Sequence, residues 1–282
     1  MVRTSITAAA LAAALAPATA SADSSLMSAP GARNLAGGGG HLVWAAPTPD
    51  GRFKLTVRTP GGSVAQPDIP AFDDAPQPAI GTSTTGVAKR LIAVYTRDGD
   101  VFELDLATGT ERRLAQLSTG ARETAAAVTM GRYVAVRATG SRKGLWTVSR
   151  TGRATRLTRT VPSSIALAQS RVASVEHGKV VIRRLSGRGP VMVAGRNLRG
   201  VSSLWLTRYR VGWATHDADR GTRLFASRRF AGSGGPYTLT VITDPWTSAS
   251  PLHGIATDGS QPTTYLDDQG VKRFDPRPFH GR

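Results

Sequence analysis

Three stretches of this chain combine residue types that can carry chemistry. Gly81-Thr82-Ser83-Thr84-Thr85-Gly86 has the glycine spacing of a phosphate-cradling loop. Val87-Ala88 follows, however, where such a loop needs a lysine for the phosphate charge and a hydroxyl for magnesium. A strand of small residues beside a central channel accounts for it better. His216-Asp217-Ala218-Asp219-Arg220-Gly221 alternates acids before glycine as a calcium loop does, yet Arg220-Gly221 replaces the third acid and no bidentate glutamate follows in register. A polar turn is the simpler account. The histidines, at 41, 177, 216, 253 and 280, lack metal-ligand spacing, and no Gly-x-Ser-x-Gly elbow marks a nucleophile. No catalytic residue, metal or cofactor is assigned.

The elements that would position a site repeat along the chain. Each copy is a strand, a glycine turn and a second strand, as in Leu91-Ile92-Ala93-Val94-Tyr95, Asp98-Gly99, then Val101 to Leu106. The turn glycines fall at 51, 99, 144, 178, 221 and 270, giving spacings of 48, 45, 34, 43 and 49 residues. That scatters around the ~40 to 50 residues of a propeller blade. The strands are rich in β-branched and aromatic residues with partial period-two alternation, and glycine supplies the positive φ of tight turns. A second glycine turn and a short fourth strand follow in most copies, and an additional apolar run precedes each. The expectation is an all-β, six-bladed β-propeller of four-stranded antiparallel blades, with no substantial helix outside an N-terminal leader. After Asp275 no fourth strand is legible in the last copy, so a segment within Ser24 to Ala36 is expected to supply it and close the ring.

Asp105-Leu106-Ala107-Thr108-Gly109-Thr110-Glu111-Arg112-Arg113-Leu114 and Ser149-Arg150-Thr151-Gly152-Arg153-Ala154-Thr155-Arg156-Leu157-Thr158 resemble the strand-glycine-strand ends of TolB-type and related WD40-like propeller repeats. The fuller Ser-Pro-Asp-Gly phrase of that family survives in part as Thr48-Pro49-Asp50-Gly51. The resemblance implies an extracytoplasmic propeller that binds other proteins, with no catalytic residues to carry over.

Residues 1–22 have the pattern of a secretory signal peptide: Arg3, a short apolar run from Ile6 to Ala16, and Ala20-Ser21-Ala22 as the cleavage site. Residues 23–32 are expected to be a flexible mature N-terminus, and 33–282 a single propeller domain, secreted or held in the periplasm or envelope. No later run is long and apolar enough to span a membrane, and the chain has no cysteine, leaving stability to the sheet core. A monomer is expected.

The formal charge is +17. In a four-stranded blade the turns after the first and third strands share one face of the disc, and the turn after the second strand and the interblade link share the other. Arg112, Arg113, Arg150, Arg153, Arg208, Arg210, Arg228 and Arg229 fall on the first face by this rule, and Asp50, Asp68, Asp73, Asp74, Asp98, Asp217, Asp219, Asp267 and Asp268 on the other. Solvated turn arginines and turn-forming aspartates are the plain account of this pattern. The functional account is a basic face attracting an anionic polymer or membrane surface. Two links, Gln66 to Pro78 and Thr240 to Pro251, are longer than the repeat needs. They bring Phe72, Asp73, Asp74, Asp244, Trp246 and the nearby His253 to the link face as a candidate binding rim; blade-edge capping explains the same loops. The function read from this is a non-enzymatic binding module for a protein partner in the cell envelope. A channel-mouth hydrolase or lyase is one alternative, which a cluster of His253, Asp73, Asp74 and Asp244 would favour. Attachment to an anionic wall polymer is the other. The innermost strands read mainly Ala, Gly, Ser, Thr and Leu, which argues against a charged catalytic channel.

Overall fold

The computed structural model describes residues 24–85, 88–149, 151–217, 222–229, 240–243, 253–257, 262–268 and 270–273. Among them there are strands and no helix. The first unit comprises β2 (Arg33–Gly38), β3 (His41–Pro47), β4 (Phe53–Arg58) and β5 (Val64–Ala65). The second comprises β6 (Ala79–Thr85), β7 (Ala88–Arg97), β8 (Asp100–Asp105) and β9 (Glu111–Arg113). The third runs β10 (Glu123–Thr129), β11 (Arg132–Arg137), β12 (Gly144–Val148) and β13 (Ala154–Thr158). The fourth runs β14 (Ser164–Ala168), β15 (Arg171–Glu176), β16 (Lys179–Arg184) and β17 (Met192–Gly195). The fifth has β18 (Val201–Leu206), β19 (Arg210–Asp217), β20 (Thr222–Arg229) and β21 (Thr240–Thr243). Units two to five are separate four-stranded antiparallel sheets in meander order.

The remaining strands join the first unit in one eight-stranded sheet. β22 (Gly254–Thr257), β23 (Pro262–Asp267) and β24 (Gly270–Arg273) form a meander, and β1 (Ser24–Ser28) adds antiparallel to β24 through Ser24↔Arg273 and Ser28↔Gly270. The outer strand missing from the last copy is thus supplied by the region before the first unit. This group joins the first unit's strands through the parallel pairing Leu35↔Gly254, beside the Asn34 N–H to His253 carbonyl bond of 2.7 Å. Each unit's first strand lies beside the next unit's first strand, in the order β2, β6, β10, β14, β18, β22 and back to β2.

The strands read as almost continuous apolar runs because both faces of each sheet are covered. In β7, Ile92 and Val94 pack on Ala126 and Val128 of the third unit, while the intervening Ala93 and Tyr95 pack on Val43 and Leu55 of the first. The same period-two division recurs on β11, where Val134 and Val136 meet Val172 and Leu185 of the fourth unit. Leu35, Trp44, Leu266 and Val271 seal the first unit to the last, with Leu26 and Met27 of β1 against them. The Asp98-Gly99 turn has φ of 55° and 80° at its two residues, the doubly left-handed geometry of a two-residue hairpin that Asp-Gly favours. Gly81 is required for a different reason: a Cβ there would lie 2.1 Å from the Val128 carbonyl oxygen of the neighbouring β10. The glycine-spaced segment at 81–86 is accordingly the inner strand β6 as far as Thr85, with Gly86 and Val87 outside the described residues.

Candidate functional site

The link between the first and second units is nailed down by two apolar side chains. Ile69 and Phe72 are both buried in the core shared by those units. Phe72 also exchanges two 2.8 Å backbone hydrogen bonds with Phe53 and stands edge-on to Tyr95 at 5.5 Å between ring centroids. With Phe72 turned inward, Asp73 and Asp74 project into solvent. On the far side the Asn34 side-chain amide donates to the Ala75 and Pro76 carbonyls at 3.0 Å each. Asn34 itself is left-handed (φ 59°) at an irregularity in the β2–β3 pairing, a conformation asparagine tolerates better than most residues. The long link is therefore a built wall.

That wall closes one side of a pocket of about 290 Å³, whose other sides are Thr96 to Gly99 and Arg122 to Thr124. Asp73, Asp74 and Asp98 are exposed there beside one exposed cation, Arg122. Arg97 lines the pocket but is committed elsewhere: its guanidinium makes a bidentate pair with Glu111 at 2.7 and 2.8 Å and lies 4.1 Å from the Phe102 ring centroid. Burial and the Glu111 carboxylate that accepts its hydroxyl proton push the neighbouring Tyr95 phenol above its ordinary pKa. At the pocket floor Glu123 is buried. Its Oε1 accepts from the Thr119 hydroxyl at 2.8 Å and from Arg137 Nε at 3.3 Å. Burial lowers the Arg137 pKa against the pull of Glu123. The pocket carries more exposed carboxylates than cations and is open to solvent.

A second cavity, of about 230 Å³, lies where β2, β6, β10, β14, β18 and β22 converge. Its described lining mixes small residues such as Ala36, Gly37, Ala166 and Ser203 with larger apolar ones such as Leu204 and Trp205, and its one titratable side chain is His253. His253 lines this cavity, with Nε2 2.6 Å from Asp268 Oδ1. It is not brought to Asp73 or Asp74, which belong to the first pocket; Asp244 and Trp246 lie outside the described residues. Among the described residues no group of three His, Asp or Glu side chains comes together to hold a metal. The backbone of His216 and Asp217 continues β19, and 218–221 fall outside the described residues.

Of the arginines read onto the turn face, two are tied to acids. Arg112 and Arg113 sit on β9, where Arg112 Nε is 2.5 Å from Glu103 and Arg113 pairs with Asp100 through two nitrogens at 2.7 and 2.9 Å. Hydrogen bonding to Glu103 raises the Arg112 pKa, and Arg113 lowers that of Asp100. Glu103 accepts as well from the Tyr133 hydroxyl at 2.9 Å. Arg153 and Arg208 are exposed, Arg208 at 5.3 Å from the Tyr209 ring centroid, and Arg210 is half-buried. Arg150 is outside the described residues; Arg228 and Arg229 lie on β20, with their side chains outside them too. The link face also carries cations among its acids: Arg122, Arg142, Lys143, Arg159, Arg196 and Arg199 are all exposed there. Arg97 and Arg122 went unread as pocket residues because three separated segments build that pocket.

The chain matches no protein-family model, and no curated protein sequence matches it. Solved structures do. The chain aligns with a nidogen/laminin complex structure at a TM-score of 0.57 and 10% identity, over 81% of this chain and 85% of that one. It aligns with the tricorn protease at 0.56 and 15%, over 89% of this chain but only 26% of that much longer one. The Cps50 (Swd1) β-propeller domain of Myceliophteria thermophila gives 0.52 and 11%, over 89% and 88%. At such identities the likeness is one of fold, and together with the four-stranded meanders it makes this chain a β-propeller-type repeat protein.

Proposed function

We propose that the chain is a closed six-bladed propeller of the TolB-like kind, exported by its N-terminal signal segment. It works there as a non-enzymatic binding module whose protein partner docks on the link face over the Phe72–Gln77 wall. The observation that carries this reading is the pocket built by that wall. Phe72 is spent on anchoring, so Asp73 and Asp74 are presented at fixed positions next to Asp98, and rigid presentation of polar groups lowers the ordering cost of binding. Its charge suits a basic segment of a partner. The circular adjacency of the first strands and the β1–β24 pairing support ring closure.

The experiment is capture from cell-envelope extract with the mature chain, identification of the bound protein, and titration of that purified protein against wild type and Asp73→Ala/Asp74→Ala. A loss of about tenfold or more in affinity is expected, since truncating charged groups at an interface costs about 2 kcal/mol or more. Unchanged affinity in the double variant would remove the link-face pocket as the docking site.

A further inference from the structure

The charge of this molecule is divided by sector. Residues 124–216, which span units three and four and the start of five, contain seventeen Lys and Arg and a single carboxylate, Glu176. The rest of the chain has the other nineteen basic residues against eighteen acids, so nearly all of the +17 resides in that third of the sequence. A genome rich in arginine codons explains arginine in place of lysine. It does not explain eighteen of nineteen carboxylates lying elsewhere. The one acid of the sector is also withdrawn: Glu176 is buried, held by Arg183 at 2.5 and 3.0 Å. The described surface of units three and four therefore offers cations without carboxylates.

At the link face these cations converge. The β11–β12 turn carries Arg142 and Lys143, and the Gly144 that follows packs against the Arg159 backbone at the exit of β13, at 3.0 Å from a Cβ placed on the glycine. Arg196 and Arg199 follow on the next link, which is tied to the β15–β16 turn by the Leu198 N–H to Gly178 carbonyl bond of 2.8 Å. All five are exposed, and none is paired with a carboxylate among the described residues. Arg156 stands behind them, donating to the Ser141 carbonyl at 3.2 Å.

We propose that the link end of units three and four is a binding surface for a base-free phosphodiester polymer lying across both sheets. The row is arginine-rich, and the guanidinium fork matches phosphate oxygens bidentately. Among the described residues it offers bases little to stack on: His177 on the β15–β16 turn is its one exposed aromatic ring. Trp146 already has the Arg137 and Arg156 guanidiniums at 4.7 and 5.4 Å from its ring centroid, and its Nε1 donates to the Arg142 carbonyl. Val161 is the one large apolar residue exposed on this face of the two units among the described residues, too little for insertion into a lipid surface. This surface adjoins the acidic pocket but shares no residue with it, so it stands independently of the protein-docking reading.

The test uses an end-labelled poly(glycerol phosphate) oligomer and the mature chain, followed by fluorescence anisotropy across a salt series. Arg142→Ser/Lys143→Ser/Arg159→Ser is compared with Arg153→Ser/Arg184→Ser/Arg188→Ser. The second triple removes the same charge from exposed positions at the opposite end of the same units. Unchanged melting of both variants establishes that they are folded. Saturable binding at ~0.15 M salt is expected, weakened about tenfold or more by the link-face triple and less than about twofold by the control, with the salt slope shallower by about 2 in the former. Equal losses in the two triples would reduce the effect to the overall field of the protein and overturn the proposal. Tighter binding of an oligothymidylate of equal charge, or of phosphatidylglycerol vesicles, would also overturn it by assigning the surface to a nucleic acid or a membrane.

Discussion

At the scale of single residues, what decides a side chain's role is which partner its charge has found. Asp50 shows this in an exposed turn. The Thr48 hydroxyl and then the Arg52 guanidinium, at 2.8 Å from Asp50 Oδ2, hold its carboxyl at about 2 instead of 3.8. Its folded-state pKa is thus below the unfolded one. The stabilisation it contributes is present above pH 3.8 and is lost as pH falls through about 2. The expected result of an NMR titration of the native protein is a carboxyl midpoint for Asp50 near 2, returning toward 3.8 in Thr48→Ala. A wild-type midpoint at the ordinary value would show that the turn hydrogen bonds do not persist in solution. Glu123 and Arg137 make the opposite case, a pair taken fully out of water. Removing one member of such a pair leaves the other buried and uncompensated, so Arg137→Met is destabilising.

At the scale of elements, the sheets meet at their inner edges through residues with little or no side chain. Strand β6 can approach β10 because Gly81 places nothing in front of the Val128 carbonyl. Gly81→Ala puts a methyl 2.1 Å from that oxygen, and backbone can relieve it only by moving the two sheets apart. The expected cost is about 1–3 kcal/mol, read as a lower urea midpoint with an unchanged slope. A midpoint equal to wild type would mean that the inner strands are not packed as described. In the long link after β5 the structure corrects the reading of Phe72, which is buried in the core instead of standing on a binding rim, and leaves Asp73 and Asp74 exposed. The link's length drew attention to Phe72, Asp73 and Asp74, and its proline and apolar content lets Ile69 and Phe72 plug into the core.

For the molecule as a whole, the last group of strands depends on a segment that begins the described chain. β24 would be a bare edge without β1, and exposed strand edges recruit other chains. Deleting Ser24–Ser28 is expected to lower the melting temperature and to produce concentration-dependent oligomers in size-exclusion chromatography. A monomer with wild-type melting would show that β1 contributes nothing to closure. The distribution of charge also belongs to this scale. The basic sector adjoins a first and second unit in which nine Lys and Arg balance nine Asp and Glu, so the acidic pocket is a local feature of a neutral region whereas the basic surface belongs to a whole sector.

The all-β character, the strand-turn-strand period and the need for an outer strand from the N-terminal region were all determined by the sequence. Each rests on local chemistry: Asp-Gly turns, β-branched runs, and a last copy one strand short. The link that walls the acidic pocket was legible for the same reason. The partners of the charges were decided only in the tertiary structure. Arg112 and Arg113 read as a free basic face until β8 brings Glu103 and Asp100 against them, and His253 reads as a companion of Asp73 until the β23–β24 turn offers Asp268. These pairs join strands near in sequence, β8 to β9 among them, but they depend on the register of the hairpin, which sets Glu103 directly opposite Arg112. Spacing along the chain shows that such strands are neighbours without fixing which side chains face each other, because a shift of one residue in register turns every side chain to the other face.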